Sequence, residues 1–341
     1  KGIIRLLTVC GTSLMGTHLE RCDSCGHMEV ANNSCRNRHC PSCQHKDKLQ
    51  WINKRMEELL LLGYYHLVFT IPHQLNPLCL GNKHVLYDIL FKAASKTLLE
   101  LAKDTRHLGA DIGLVTMLHT WGQNMMEHPH LHCIMPAGGL SFDREQWIHP
   151  FKNNDFFIYV KIISEKFQGK FLDMLKKAYL NGKIKFKGKL SAIAEKKQFF
   201  RFIDLLYQKN WVVNIQKPFG KPEKILEYLS RYVFRIAITD RRIIEVKNGK
   251  VRLSWKDYRT GRHRQMTLDI YEFIRRFLLH ILPKGFFKIR YYGILSNRYK
   301  KENIQLTKKL LEQEALERKQ EDLIILPILK TTKATFLVEI Q

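Results

Sequence analysis

From Tyr64 to Pro72 the chain reads YYHLVFTIP, an aromatic and β-branched run closed by proline, which predicts a core strand. GLVTMLHTWGQ (Gly113–Gln123) and HPHLHCIMP (His128–Pro136) predict two antiparallel strands around a short turn. WVVNIQKP (Trp211–Pro218) alternates as a further strand. RRIIEVKNGKVRLSWKDY reads as a hairpin with Asn248-Gly249 as its turn. Elsewhere the apolar spacing is helical. NKHVLYDILFKAASKTLLELAKD predicts an amphipathic helix, KPEKILEYLSRYVFRIAI a second, and DIYEFIRRFLLHILP a third that Pro283 stops. Residues 49–62 read as a linking helix, residues 151–210 as basic helices of weak pattern, and 301–341 as a charged tail that begins as a helix. This mixture is an α+β fold: an antiparallel sheet with flanking helices.

Composition narrows the function. Hydrophobic residues make up 45% of the 341, enough for a sizeable core. The net charge is +25, so a polyanion is the first partner to consider, and nucleic acid the first polyanion. No apolar run is long enough to cross a bilayer, and the first residues lack the order of a signal peptide. Neither a Walker A loop nor a GxGxxG is present, so no nucleotide site is available to drive the chemistry.

Six of the 8 cysteines fall within the first 43 residues, which points to metal in preference to disulfides. Cys22-x-x-Cys25 and Cys40-x-x-Cys43 have the spacing of two zinc knuckles, and four thiolates make a closed, structural Zn²⁺ site. Cys35 and His39 are further candidates, ahead of His18 and His27. Residues 1–48 are therefore read as a zinc-binding module that needs its metal to fold, with Arg36 and Arg38 as phosphate contacts.

Two more constellations carry chemistry. On a strand, His130 and His132 share a face, as a metal pair or as two packed core imidazoles. On a helix, Tyr228 and Tyr232 share a face one turn apart, with Arg231 and Arg235 directed to phosphates or solvent. Either feature alone is compatible with simple packing. Together with the knuckles and the charge they suit one reaction: a divalent ion polarises a phosphate that a tyrosine attacks. Arg259 and Arg262 are additional phosphate contacts, and Trp121 is among the aromatics that could stack on bases.

Longer stretches extend this set: NSCRNRHCPSCQ (33–44), HLVFTIPHQL (66–75), LHTWGQNMMEHPHLHCIMPAGGLS (118–141), YLSRYVFRIAITDRRI (228–243) and FIRRFLLHILPKGFFKIRYYGILSNR (273–298). In these the chain resembles the two-tyrosine rolling-circle transposases of the HUH superfamily, the IS-ninety-one insertion-sequence group. The resemblance implies an HUH-type sheet over 63–300, with 151–210 as a helical insertion, preceded by the zinc module and followed by basic helical regions. It implies that His130 and His132 hold Mg²⁺ or Mn²⁺. It also implies that Tyr228 and Tyr232 are the nucleophiles, each able to form a 5′-phosphotyrosine with single-stranded DNA at transposon ends and target. A third, polar ligand is expected from the neighbouring strand, with Gln123 as first choice and His119 as the alternative. Glu127 and His128 are expected to face solvent or DNA. A bacterial, cytoplasmic, nucleoid-associated protein follows from the same resemblance.

Three rivals remain at this level. A replication initiator or relaxase would use the same chemistry. An inactive DNA-binding relative would keep the fold alone. A zinc metallohydrolase would activate water on the histidines, but the sequence offers it no third histidine at a familiar spacing.

Overall fold

The computed structural model describes residues 2–40, 43, 57–150, 158–219, 237–257 and 260–317. In chain order the elements are α1 (Gly2–Thr8), β1 (Thr17–Arg21), β2 (Met28–Asn32), β3 (Tyr64–Thr70), α2 (Asn76–Gly81), α3 (Lys83–Lys103), β4 (Gly113–Trp121) and β5 (Glu127–Pro136). The short strands β6 (Gly139–Leu140) and β7 (Trp147–Ile148) follow, then α4 (Val160–Leu180), α5 (Lys196–Tyr207) and β8 (Val213–Phe219). The chain continues with β9 (Ile243–Lys247), β10 (Lys250–Lys256), β11 (His263–Asp269), α6 (Ile270–Leu279) and β12 (Ile289–Gly293). Helical residues 300–317 form α7.

Five of these strands build one sheet in the order β12-β4-β5-β3-β8, every neighbour antiparallel. Strand alternation divides its residues between two environments. Tyr65, Leu67 and Phe69 of β3, Leu131, Cys133 and Met135 of β5, and Val213 and Ile215 of β8 point into the main core. Helices α3 and α4 cover that face with Leu86, Leu90, Phe91, Phe167 and Phe171. Phe69 and Phe167 meet edge to face, with ring centroids 4.9 Å apart. The region read as basic helices thus supplies much of the core from α4, because its apolar positions recur on one stripe.

The opposite face is split lengthwise. At one end Leu60, Tyr64, Met117, Ile134 and Trp147 pack with Ile304 of α7. At the other end the face is lined by histidines. A separate three-stranded meander, β9-β10-β11, packs with α6 around Val251 and Leu253. Its first turn is the predicted Asn248-Gly249, with φ of 51° and 69° as a two-residue hairpin loop requires. Asp269 caps α6 by accepting from the Tyr271 amide, and the helix ends before Pro283 as predicted. Within the linking region, residues 57–62 are turn and irregular, not helix, and residues 49–56 lie outside the described ones. No helix among the described residues is long and apolar enough to cross a membrane.

Phe69 is fully buried between sheet and α4, so Phe69→Ala should cost about 3–5 kcal/mol by transfer and cavity terms. A urea titration monitored by circular dichroism measures this. A loss under 1 kcal/mol would mean that the α4 packing is wrong.

Candidate functional site

The histidine-lined end of the sheet forms a cleft of about 300 Å³, walled by His66, Thr70, His119, Trp121, His130, His132 and Gln216 among others. Register explains the convergence. His130 of β5 lies directly opposite His119 of β4 and Thr70 of β3. His132 lies opposite Met117 and Val68. Residues two apart on a strand share a face, so His130 and His132 both project into the cleft. His119 joins them from the neighbouring strand. One nitrogen from each of the three imidazoles lies within 4.8 Å of the others. Ring centroids are 4.5 Å apart for His119 and His132 and 5.0 Å for His130 and His132.

The protonation pattern suits a metal. His130 Nδ1 lies 2.7 Å from the His128 carbonyl oxygen, which can only accept. His130 therefore carries its proton on Nδ1 and its lone pair on Nε2. His119 is 2% exposed and stacks on Trp121 at 4.8 Å. His66, from β3, reaches 2.8 Å from His132 with its Nε2 and 3.2 Å from the Gln216 amide oxygen with its Nδ1. Burial pushes His66 down to about 4, against the Gln216 bond, which raises it.

The β4–β5 turn is held from outside the sheet. The carbonyls of Gln123, Asn124 and Met125 accept from Arg242, Arg276 and His280 respectively. Met125 takes a left-handed φ of 60° and drops its side chain into the meander's core. One extra residue on β5 makes a bulge between the His119 and Trp121 pairings. Glu127, expected at the surface, is instead buried: its carboxylate accepts from Tyr87 Oη at 2.9 Å, and its backbone oxygen accepts from Asn76. The strand runs on past the bulge over α2 and α3, and that coverage takes Glu127 from solvent. His128 is exposed and borders the cleft.

The N-terminal cysteines form a second cluster. Cys10, Cys35, Cys40 and Cys43 bring their sulfurs within 4.8 Å of one another. Sulfur separations are 3.6 Å for Cys10 and Cys43, 3.7 Å for Cys35 and Cys43, and 3.5 Å for Cys40 and Cys10. A tetrahedral zinc with bonds of about 2.3 Å spaces its sulfurs ~3.8 Å apart, so the four thiols fit that ion. The Cys35 amide also donates to Cys10 Sγ at 3.4 Å, as amides do to metal-bound thiolates. The grouping differs from the one that spacing suggested. Cys22 and Cys25 sit exposed at the tip of the β1–β2 hairpin, and Cys22 Sγ meets Ser24 Oγ at 3.1 Å. Cys10 and Cys35 take the places that the knuckle pattern gave them. His39 is outside the thiol cluster, its Nε2 buried in the crevice beside Trp121 and His280.

Both centres fall in regions that match known proteins. Residues 113–303 match the family described as "Putative transposase", and residues 2–71 match the "Transposase zinc-binding domain". The chain is 46% identical over 310 residues to "Putative transposase y4qJ" of Sinorhizobium fredii, an alignment covering 91% of this chain and 77% of that protein. It is 32% identical over 295 residues to the "Transposase for insertion sequence element IS801" of Pseudomonas savastanoi pv. phaseolicola, covering 86% of this chain and 69% of that one. The chain belongs to the IS-ninety-one transposase family. No solved structure matches it.

In this transposase the matched zinc-binding domain contains the four-thiol cluster, which identifies its structural zinc. The predicted metal pair, His130 and His132, is brought together with His119. Gln123 lines the same cleft. His66 was missed, because a lone histidine in an apolar strand reads as core, although its even position gives it the parity of Val68 and Thr70. Among the predicted phosphate contacts, Arg36 and Arg262 are exposed. Arg38 is not a surface arm: its guanidinium donates to the carbonyls of Phe286 and Pro283 and docks the zinc module on the catalytic body. Two of its five N–H donors are thereby engaged within the protein. Tyr228, Tyr232, Arg231, Arg235 and Arg259 lie outside the described residues.

Cys10→Ser should release zinc and lower the melting temperature, whereas Cys22→Ser should leave that zinc bound. Metal analysis after gel filtration, with a thermal scan, checks both. A second prediction concerns Glu127, whose carboxyl burial raises to about 7 while Tyr87 and Lys83 pull it down. The folded chain then holds this proton more tightly than the unfolded one. That stabilisation is complete below about pH 4 and is lost as pH rises through 7. Glu127→Gln should therefore gain up to about 3 kcal/mol over the parent at pH 8 and nothing at pH 4, in paired urea titrations.

Proposed function

We propose that this transposase nicks and rejoins single-stranded DNA through 5′-phosphotyrosine intermediates, with Tyr228 and Tyr232 as nucleophiles, in a rolling-circle type of transposition. The observation that carries the reading is the convergence of His119, His130 and His132 on the cleft floor. A divalent ion held there would polarise a scissile phosphate. An all-imidazole set favours Mn²⁺ over Mg²⁺, which prefers oxygen donors; Gln123 would add an amide oxygen. The tyrosine oxygen bonds to phosphorus, the bond to the 3′ oxygen breaks, and that oxygen leaves as a 3′-hydroxyl. The phosphodiester energy is kept in the new ester, so no nucleotide is consumed. Reversal with a different 3′-hydroxyl joins new strands. Two tyrosines allow donor and target to be held at once.

Other features support DNA as the partner. The net charge is +25, and exposed Arg36 and Arg262 add local positive charge. Trp121 borders the cleft, where a base could stack. Asn214 and Gln216 of β8 also line the cleft. The Ala237 carbonyl accepts from the same Arg242 that donates to the Gln123 carbonyl.

A second reading draws on His119. Three imidazoles are the ligand set of some zinc hydrolases, which activate water instead of using a side-chain nucleophile. One experiment separates the two. The protein is incubated with Mn²⁺ and a labelled single strand carrying its element's end, then run on a denaturing gel beside Tyr228→Phe, Tyr232→Phe and the double variant. Tyrosine chemistry gives a slow, denaturation-resistant band that the double variant loses. A free 5′-phosphate, equal in all four proteins, would favour the hydrolase. His130→Ala should reduce product at least a hundredfold in either case.

A further inference from the structure

His66 and Gln216 lie beside the imidazole cluster, outside the set of three that converges, and the hydrogen-bond geometry gives them a task. The Gln216 amide oxygen is an acceptor with no proton to give. His66 Nδ1, 3.2 Å away, must supply the proton of that bond. His66 is 2% exposed, and burial disfavours the doubly protonated, charged ring, so it holds one proton, not two. Its Nε2 is then a bare acceptor. His132 Nδ1 lies 2.8 Å from that acceptor and must donate to it. The His132 proton is thereby assigned to Nδ1, and its lone pair to Nε2. The two rings lie parallel within 3°, their centroids 5.1 Å apart, which suits a bond in the common ring plane.

We propose that Gln216 and His66 form a tautomer relay, Gln216 Oε1···H–Nδ1 His66 Nε2···H–Nδ1 His132, that fixes His132 Nε2 as the ligand nitrogen of the catalytic metal. His66 and Gln216 are positioning residues: neither need touch metal or DNA. The inference rests on the proposed metal site of the cleft. Its logic parallels that of His130, whose Nδ1 proton is fixed by a backbone carbonyl at 2.7 Å. One ligand is set by the main chain of its own strand, which mutation cannot remove. The other is set through two side chains from β3 and β8, which mutation can. The relay also explains a histidine in the apolar run of β3: a neutral imidazole accepts at one ring nitrogen and donates at the other.

Gln216 is exposed on the outermost strand, so its variants should fold. Three full-length proteins suffice: the parent, Gln216→Leu and Gln216→Glu. Mn²⁺ affinity is measured from the electron paramagnetic resonance of the free ion. Histidine tautomers are read from nitrogen shifts of ¹⁵N-histidine-labelled, metal-free protein. Gln216→Leu removes the acceptor and should weaken Mn²⁺ binding roughly tenfold or more, with the His132 resonances leaving the Nδ1–H pattern. Gln216→Glu restores an acceptor and should return both readings to the parent's or beyond. A purely structural role for Gln216 would make the two variants alike. The relay is overturned if Gln216→Leu keeps the parent's affinity and His132 pattern, or if the glutamate fails to rescue. If the parent binds no Mn²⁺, the metal reading fails instead, and the relay is decided by the metal-free spectra alone.

Discussion

The register of β5 between β3 and β4 is the constraint on which the rest of the structure depends. One face of that strand carries Leu131, Cys133 and Met135 into the core, and the other carries His130 and His132 into the cleft. A slip of one residue would exchange the two sets, burying imidazoles against α3 and exposing leucine. Burial of the apolar set therefore fixes the placement of the histidines. His119 and His66 depend on the same pairing, since each faces the cleft only because its strand aligns with β5 as it does. The site needs no stored strain beyond its turn, where three side chains from the C-terminal elements hold three successive carbonyls.

This arrangement joins stability to chemistry. The histidine-lined face lies on paired sheet strands, so the positions of its imidazoles are fixed by the strand register. The turn beside it is tied to the meander and α6, so motion of those elements would reach Gln123. The zinc module reaches the same neighbourhood from the other side. Arg38 grips the 283–286 carbonyls, and His39 enters the crevice with Trp121 and His280. Arg38 and His39 of the zinc-binding domain thus pack beside the histidine-lined cleft, sharing Trp121 with it.

Much of the fold was legible because strand and helix periods are local. The β4–β5 pair, the Asn248-Gly249 hairpin, α3 and α6 all follow from spacing, turn chemistry and stop signals. Ligand sets were less legible because they are made by distant residues. The knuckle pattern paired Cys22 and Cys25 with Cys40 and Cys43, yet Cys10 and Cys35 complete the cluster, since chain reversal through β1 and β2 returns Asn33–Cys35 to the end of α1. The third ligand was expected to be Gln123, with His119 as the alternative. Opposition of His119 to His130 could be settled only by the register, which the β5 bulge displaces near the turn. Glu127 and Arg38 defeated the assumption that charged residues near a turn or a basic module face solvent. Glu127 is buried and Arg38 half-buried because another element packs over each, and no window of sequence contains that fact.

The central claim is that β-strand register assembles one metal site from His119, His130 and His132. The most direct measurement is a crystal structure of the full chain with Mn²⁺, located by anomalous scattering. The account predicts a single strong peak in the cleft, within bonding distance of one nitrogen from each of the three imidazoles, with His132 bound through Nε2. A peak bound by fewer than two of these histidines, or no peak in the cleft at saturating Mn²⁺, would contradict it.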